Sequence, residues 1–144
     1  MRNDPLTNFP LSFHQRLMLR LWLNKVDGGT RLPARRQLDV LEIPKVMPHV
    51  VIFEVRDQPR DFRYRLMGTA VVENTYEDYT GRWLGEMPGK GPGSRIWAAL
   101  EHACEQRDVQ FLEVPYVGPN EEMVRSTLLV LPLADDGETV DRIF

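Results

Sequence analysis

Three histidines, one cysteine, a group of acids and a glycine-rich stretch are the residues that could do chemistry in this chain. The histidines stand at positions 14, 49 and 102. Imidazole is the commonest metal ligand and titrates near neutral pH. Metal sites announce themselves by tight ligand spacing on one helix face or turn, and His14, His49 and His102 lack it. His102 falls on a predicted helix, as a haem ligand would, but outside that helix's apolar arc. Cys104 is the sole cysteine, which rules out an internal disulfide and a thiolate-rich zinc site. It sits on the apolar side of the same helix, where a free thiol behaves as a small hydrophobe. A reactive thiolate needs exposure and a positive neighbourhood.

Glu73, Glu77 and Asp78 could pass for paired carboxylates. Acid–base work needs one of them in an apolar pocket with a shifted pKa; on a helix they read as its solvated face. Gly85, Gly89, Gly91 and Gly93 suggest a phosphate loop, but no Gly-Lys-Ser/Thr follows, so the reading is a flexible loop. Arg63 and Arg65 alternate with Phe62, Tyr64 and Leu66 and so share the opposite face of one strand. They either meet carboxylates there or lie on a solvated edge, and exposure of long charged side chains favours the edge.

These residues are positioned by a short set of elements. Ser12 with Gln15 forms a capping-box pattern and starts a helix over 13–26, stopped by Gly28-Gly29. Its apolar residues cover most of the circumference, whereas a surface helix has one stripe. Pro33 and three arginines mark a loop; Asp39 can cap a short helix reaching Met47, limited by Pro44 and Pro48. Residues 50–55 and 62–67 form a hairpin across the turn Asp57-Gln58-Pro59-Arg60. Thr69 is a candidate cap for a helix over 69–79. Residues 85–93 are a loop. Ser94 caps a helix over 95–107 with Ile96, Trp97, Leu100, Ala103 and Cys104 on one arc. Strands follow at 109–117, an edge strand because of Pro115, at 123–133, apolar at consecutive positions 128–131 as in a strand buried on both faces, and from 139 after the hairpin signal Asp135-Asp136-Gly137.

At 144 residues the chain fits one domain with its own core. The net charge of −3 and the scattered Lys and Arg give no concentrated basic footprint, which disfavours nucleic acid as a partner. The longest apolar run, 128–133, is too short to span a bilayer, and no signal-peptide pattern follows Met1. The expectation is a soluble, cytoplasmic protein.

Two antiparallel sheet halves separated by helices make the class α+β. Here the residues resemble a known family. Leu32-Pro33-Ala34-Arg35, Val51 to Val55, Phe62 to Thr69 as Phe-Arg-Tyr-Arg-Leu-Met-Gly-Thr, Thr80-Gly81-Arg82, and Leu131 to Gly137 as Leu-Pro-Leu-Ala-Asp-Asp-Gly look like the proteobacterial PAS domain subgroup without a defined function. The resemblance runs from about Thr30 onward. It implies a five-stranded antiparallel sheet with helices over one face, an edge third strand, and sensing or interaction roles, often as dimers. Cofactor-bearing branches of the family use haem, flavin or small carboxylates. The flavin-domain cysteine motif is missing here, so no cofactor is expected.

The chain is accordingly divided into an N-terminal helix and cap, 1–29, and a PAS-like domain, 30–144. The first helix is expected on the other sheet face or at a dimer interface, with Leu17, Met18, Leu19, Trp22 and Leu23 as the interface of a homodimer. A cavity between helices and sheet is expected to be lined by Phe53, Tyr64, Leu66, Val72, Tyr76, Trp83, Trp97, Leu100 and Cys104. The function read from this is a non-enzymatic sensory or protein-interaction module, with an unknown small molecule or a signalling protein as partner. The alternative is a small cone-shaped α+β enzyme, an isomerase or hydrolase with a buried acid. A pocket holding a convergent acid and base separates the second from the first.

Overall fold

The structure is a computed structural model that describes residues 11–26, 32–34, 44–115, 118–119, 125–136 and 139–144. Helix α1 spans Phe13–Lys25. Its start is fixed locally: the Gln15 amide donates to the Ser12 hydroxyl at 3.2 Å, and the Ser12 amide donates to the Gln15 side chain at 3.0 Å. The two orphan donors of the first turn are thereby satisfied. The proposed helix from Asp39 to Met47 lies mostly outside the described residues; a 3-10 turn, Met47–His49, begins at its expected end.

Strands β1, Val51–Arg56, and β2, Asp61–Met67, form the expected antiparallel hairpin. Helix α2, Thr69–Glu73, is only five residues long. The predicted helix to residue 79 breaks at Asn74 and Thr75, whose side chains donate to the carbonyls of Ala70 and Val72. Such local bonds offer the backbone an alternative to helix. Gly68, not Thr69, is the N-cap. Helix α3, Arg95–Gln106, begins at the Ser94 cap, whose hydroxyl accepts from the Trp97 amide.

Strand β3, Gln110–Pro115, pairs antiparallel with β4, Arg125–Val130. Among the described residues β3 has no second neighbour, which agrees with a proline in it. The predicted long strand over 123–133 is split at Leu131. Its continuation, β5, Pro132–Leu133, pairs with β6, Arg142–Ile143, and β6 pairs with β1. Leu131 and Phe144 exchange both backbone bonds at 3.0 Å, so the two sheets meet there. The order across the sheet is β2, β1, β6, then the β4–β5 segment, then β3. Burial on both faces holds for Val130 to Ala134, while Leu128 and Leu129 are half-buried.

Helix α1 packs on the β4–β5 segment. Gln15 donates to Thr127, and the Trp22 indole donates to the Pro132 carbonyl at 2.9 Å. Leu19 and Trp22 are 0% exposed and Met18 is buried. These three belong to the same apolar core as Ile52, Phe62, Leu100, Leu133 and Ile143. Of the five residues expected at a homodimer interface, these three are covered by the chain's own sheet, the other placement expected for this helix. Leu17 and Leu23 are half-buried against the core, and Phe13 is 62% exposed.

Candidate functional site

A cavity of about 850 Å³ lies between α2, α3 and the inner sheet face. Strands β1 and β2 supply Phe53 and Tyr64 to it, their rings 4.7 Å apart. The segment from α2 to Tyr79 supplies Val71, Tyr76 and Tyr79, and α3 supplies Ile96, Ala99 and Leu100. The far side is built by β4 and by the start of α1.

Of the nine predicted lining residues, the structure brings Phe53, Tyr64, Tyr76 and Leu100 together around this space. Tyr76 is 69% exposed and so stands at the mouth. The other five line other parts of the molecule, each for a traceable reason. Phe62 and Tyr64 are buried on one face of β2, but β2 carries an extra residue, Arg65, opposite the step between Ile52 and Phe53 of β1. That bulge shifts the alternation by one, so Leu66 leaves the cavity face and Met67 enters it. Val72 is half-buried and its neighbour Val71 takes the lining position. Trp83 bridges to Arg63 on the other face, with the Arg56 guanidinium 4.2 Å from its ring centroid. Trp97 is buried against Phe62, rings 5.1 Å apart and near-perpendicular, and its indole donates to Glu101. Cys104 is half-buried outside the cavity, and burial pushes its thiol up to about 12.

The other sequence candidates resolve into structural roles. Arg63 and Arg65 are paired rather than solvated alone: Glu54 of β1 accepts from Arg63 at 2.6 Å and faces Arg65 at 3.4 Å. Glu77 pairs with Arg82, and Asp78 accepts from the Thr80 amide and hydroxyl, which lowers its pKa. His14 and His49, far apart in sequence, stack with ring centroids 4.0 Å apart at the cavity wall. Among the described residues no group of three His, Cys, Asp or Glu could hold a metal ion.

Lys90 is the residue that sequence reasoning missed. It lies in the stretch read only as a flexible glycine loop. Its ammonium donates to the Tyr64 hydroxyl at 2.9 Å and lies 4.6 Å from the Tyr79 ring centroid and 5.3 Å from that of Tyr64. Burial lowers the Lys90 pKa, and burial first, then Tyr79, raises that of Tyr64. A single lysine between Gly89 and Gly91 was the available signal. The lining contains Lys90 and Arg95 and, among the described residues, no Asp or Glu.

An antiparallel sheet with helices over one face and an apolar cavity beneath them is the architecture of a small binding or sensor domain. The chain belongs to the PAS domain family, whose profile matches residues 13–144. The match starts at the first residue of α1 and so takes in the N-terminal helix. No curated protein and no solved structure matches the chain. As a PAS domain it is a sensory or interaction module. No helix among the described residues is long and apolar enough to cross a membrane.

Proposed function

We propose that this PAS domain admits a small molecule to the cavity beneath α2 and α3 and passes its occupancy to a second copy or a signalling protein in the cytoplasm. The observation that carries this reading is the cavity itself: about 850 Å³, walled by Phe53, Tyr64 and Leu100, is within the size of small-molecule sites. The apolar character of the middle of the lining, Val51, Phe53, Leu100, Val130 and Phe144, supports a binding module, since small-molecule pockets are mostly apolar. Homodimerisation through the N-terminal helix is part of the proposal in a narrower form. Phe13, Leu17 and Leu23 retain exposed apolar surface for a second copy, whereas Met18, Leu19 and Trp22 are already covered.

Native mass spectrometry of the protein purified from its own host tests both halves. The expected result is a dimer whose mass exceeds two chains by one or two small molecules that leave on collisional activation. A monomer with no added mass at high protein concentration overturns the reading.

A further inference from the structure

The cavity crosses the sheet. Tyr64 and Lys90 mark its β2 end, while Gln15, Ser126 and Thr127 mark its β4 end. Between β2 and β4 lie β1 and β6. Three strand spacings amount to roughly 14 Å, so the space is elongated. Its middle is built from Val51, Phe53, Leu100, Val130 and Phe144. An occupant that spans it is therefore mostly apolar and extended.

The two ends differ in what they offer. At the β4 end the Gln15 amide is committed to the Thr127 hydroxyl and carbonyl. Arg95, the other cation of the lining, is exposed and donates to the Glu113 carbonyl. Lys90 is the opposite case. Its three ammonium hydrogens find one hydrogen-bond acceptor among the described residues, the Tyr64 hydroxyl, and the described residues give it no carboxylate partner. A half-buried ammonium without a counter-charge is an unfavourable arrangement unless an anion completes it. The rings of Tyr64 and Tyr79 stabilise the cation only in part.

Resting on the reading of this cavity as a ligand site, we propose that its occupant is a monoanionic amphiphile, a carboxylate on an extended apolar body, with the carboxylate on Lys90 and the Tyr64 hydroxyl and the body lying across β1 and β6. The Tyr64 hydroxyl accepts from Lys90 and donates its own hydrogen to the carboxylate. The burial that lowers the Lys90 pKa also strengthens a charge-assisted bond made there.

Decanoate and decan-1-ol share a tail of suitable length and differ in the head, so their affinities separate anchor from cavity. Isothermal titration calorimetry is run at neutral pH on wild type, Lys90→Met and Lys90→Arg, with circular dichroism confirming that each variant is folded. The expected result is decanoate binding about tenfold or more tightly than decan-1-ol to wild type, since charged hydrogen bonds are roughly twice as strong as neutral ones. Lys90→Met should abolish that difference by weakening decanoate far more than decan-1-ol, and Lys90→Arg should keep most of it. Equal affinities for the two probes in wild type, or a decanoate affinity that Lys90→Met leaves intact, overturns the anion anchor while the cavity reading stands. Failure of both probes to bind wild type overturns the anchor and removes the support for the cavity reading as well.

Discussion

Trp22 offers the sharpest test of how the N-terminal helix is held. Its side chain is 0% exposed, and its indole N–H bonds the Pro132 carbonyl at 2.9 Å. Trp22→Phe keeps an aromatic ring in place and removes the donor. The Pro132 carbonyl is then left without that partner, at a cost of about 1–3 kcal/mol. Trp22→Ala removes the ring as well and should cost about 3–5 kcal/mol, as large-to-small core changes do. For a domain near this size each kcal/mol lowers Tm by roughly 3–5 °C. Thermal and guanidinium unfolding, followed by far-UV circular dichroism over a wide range of protein concentration, measures both. A core helix gives losses in that order at every concentration. Two results refute the reasoning: a Phe variant as stable as wild type, or a deficit that disappears as protein concentration rises, which would place Trp22 in an interface between chains.

Gly68→Ala should destabilise strongly, because a Cβ there would meet the Pro48 carbonyl oxygen at 2.3 Å and the Met47 oxygen at 2.6 Å. Both are backbone atoms, so overpacking of about 1–3 kcal/mol or more is expected in chemical denaturation; a neutral variant would contradict the close approach. Asp61→Ala should cost about 1–3 kcal/mol, since the buried carboxylate accepts from the amides of Phe62 and Gly85 at 2.8 and 3.0 Å, and an unchanged denaturation midpoint would show those bonds to be idle. Cys104 should react with iodoacetamide at pH 8 far more slowly in the native protein than in urea, with equal rates ruling out its burial. Because folding raises this thiol's pKa from 9.0 to about 12, only the unfolded chain loses the proton in that window. Stability is unaffected by Cys104 below it and falls as pH rises through it; Cys104→Ala should flatten that fall.

What the sequence revealed tracks how local each signal is. Ser12 with Gln15 and Ser94 with Trp97 are bonds within four residues, and both helix starts were legible from them. The hairpin was equally plain from the alternation of Phe62 and Tyr64. Leu66 was misplaced because Arg65, next to it in β2, is an extra residue that shifts the alternation, and only the pairing with β1 reveals it. Trp97 and Cys104 share an apolar arc with Leu100, but only the three-dimensional arrangement decides that Leu100 meets the cavity and Trp97 meets Phe62. Trp83 is expected from the sequence at the cavity, yet its ring serves the guanidinium of Arg56 on the outer face. Lys90 was hidden because glycine and proline around it signal a loop and say nothing of where the loop folds. The reach of α1 over the sheet was also invisible: amphipathic coverage tells how much surface a helix must bury, and not whether its own chain or another supplies the cover.

The strand β6 sits between β1 and the β4–β5 segment, so Phe53 is joined to Ile143 and Trp22 to Pro132 across most of the chain's length. Contacts of such separation close large loops, and loop closure must come before those contacts stabilise anything. The hairpin β1–β2 can form as soon as it is synthesised, but the middle of the sheet stays open until residues 142–143 arrive. During translation, α1 and β1 therefore leave the ribosome with their apolar faces and one strand edge uncovered. That interval is where this domain is most exposed to aggregation, and where a chaperone would have the most to hold.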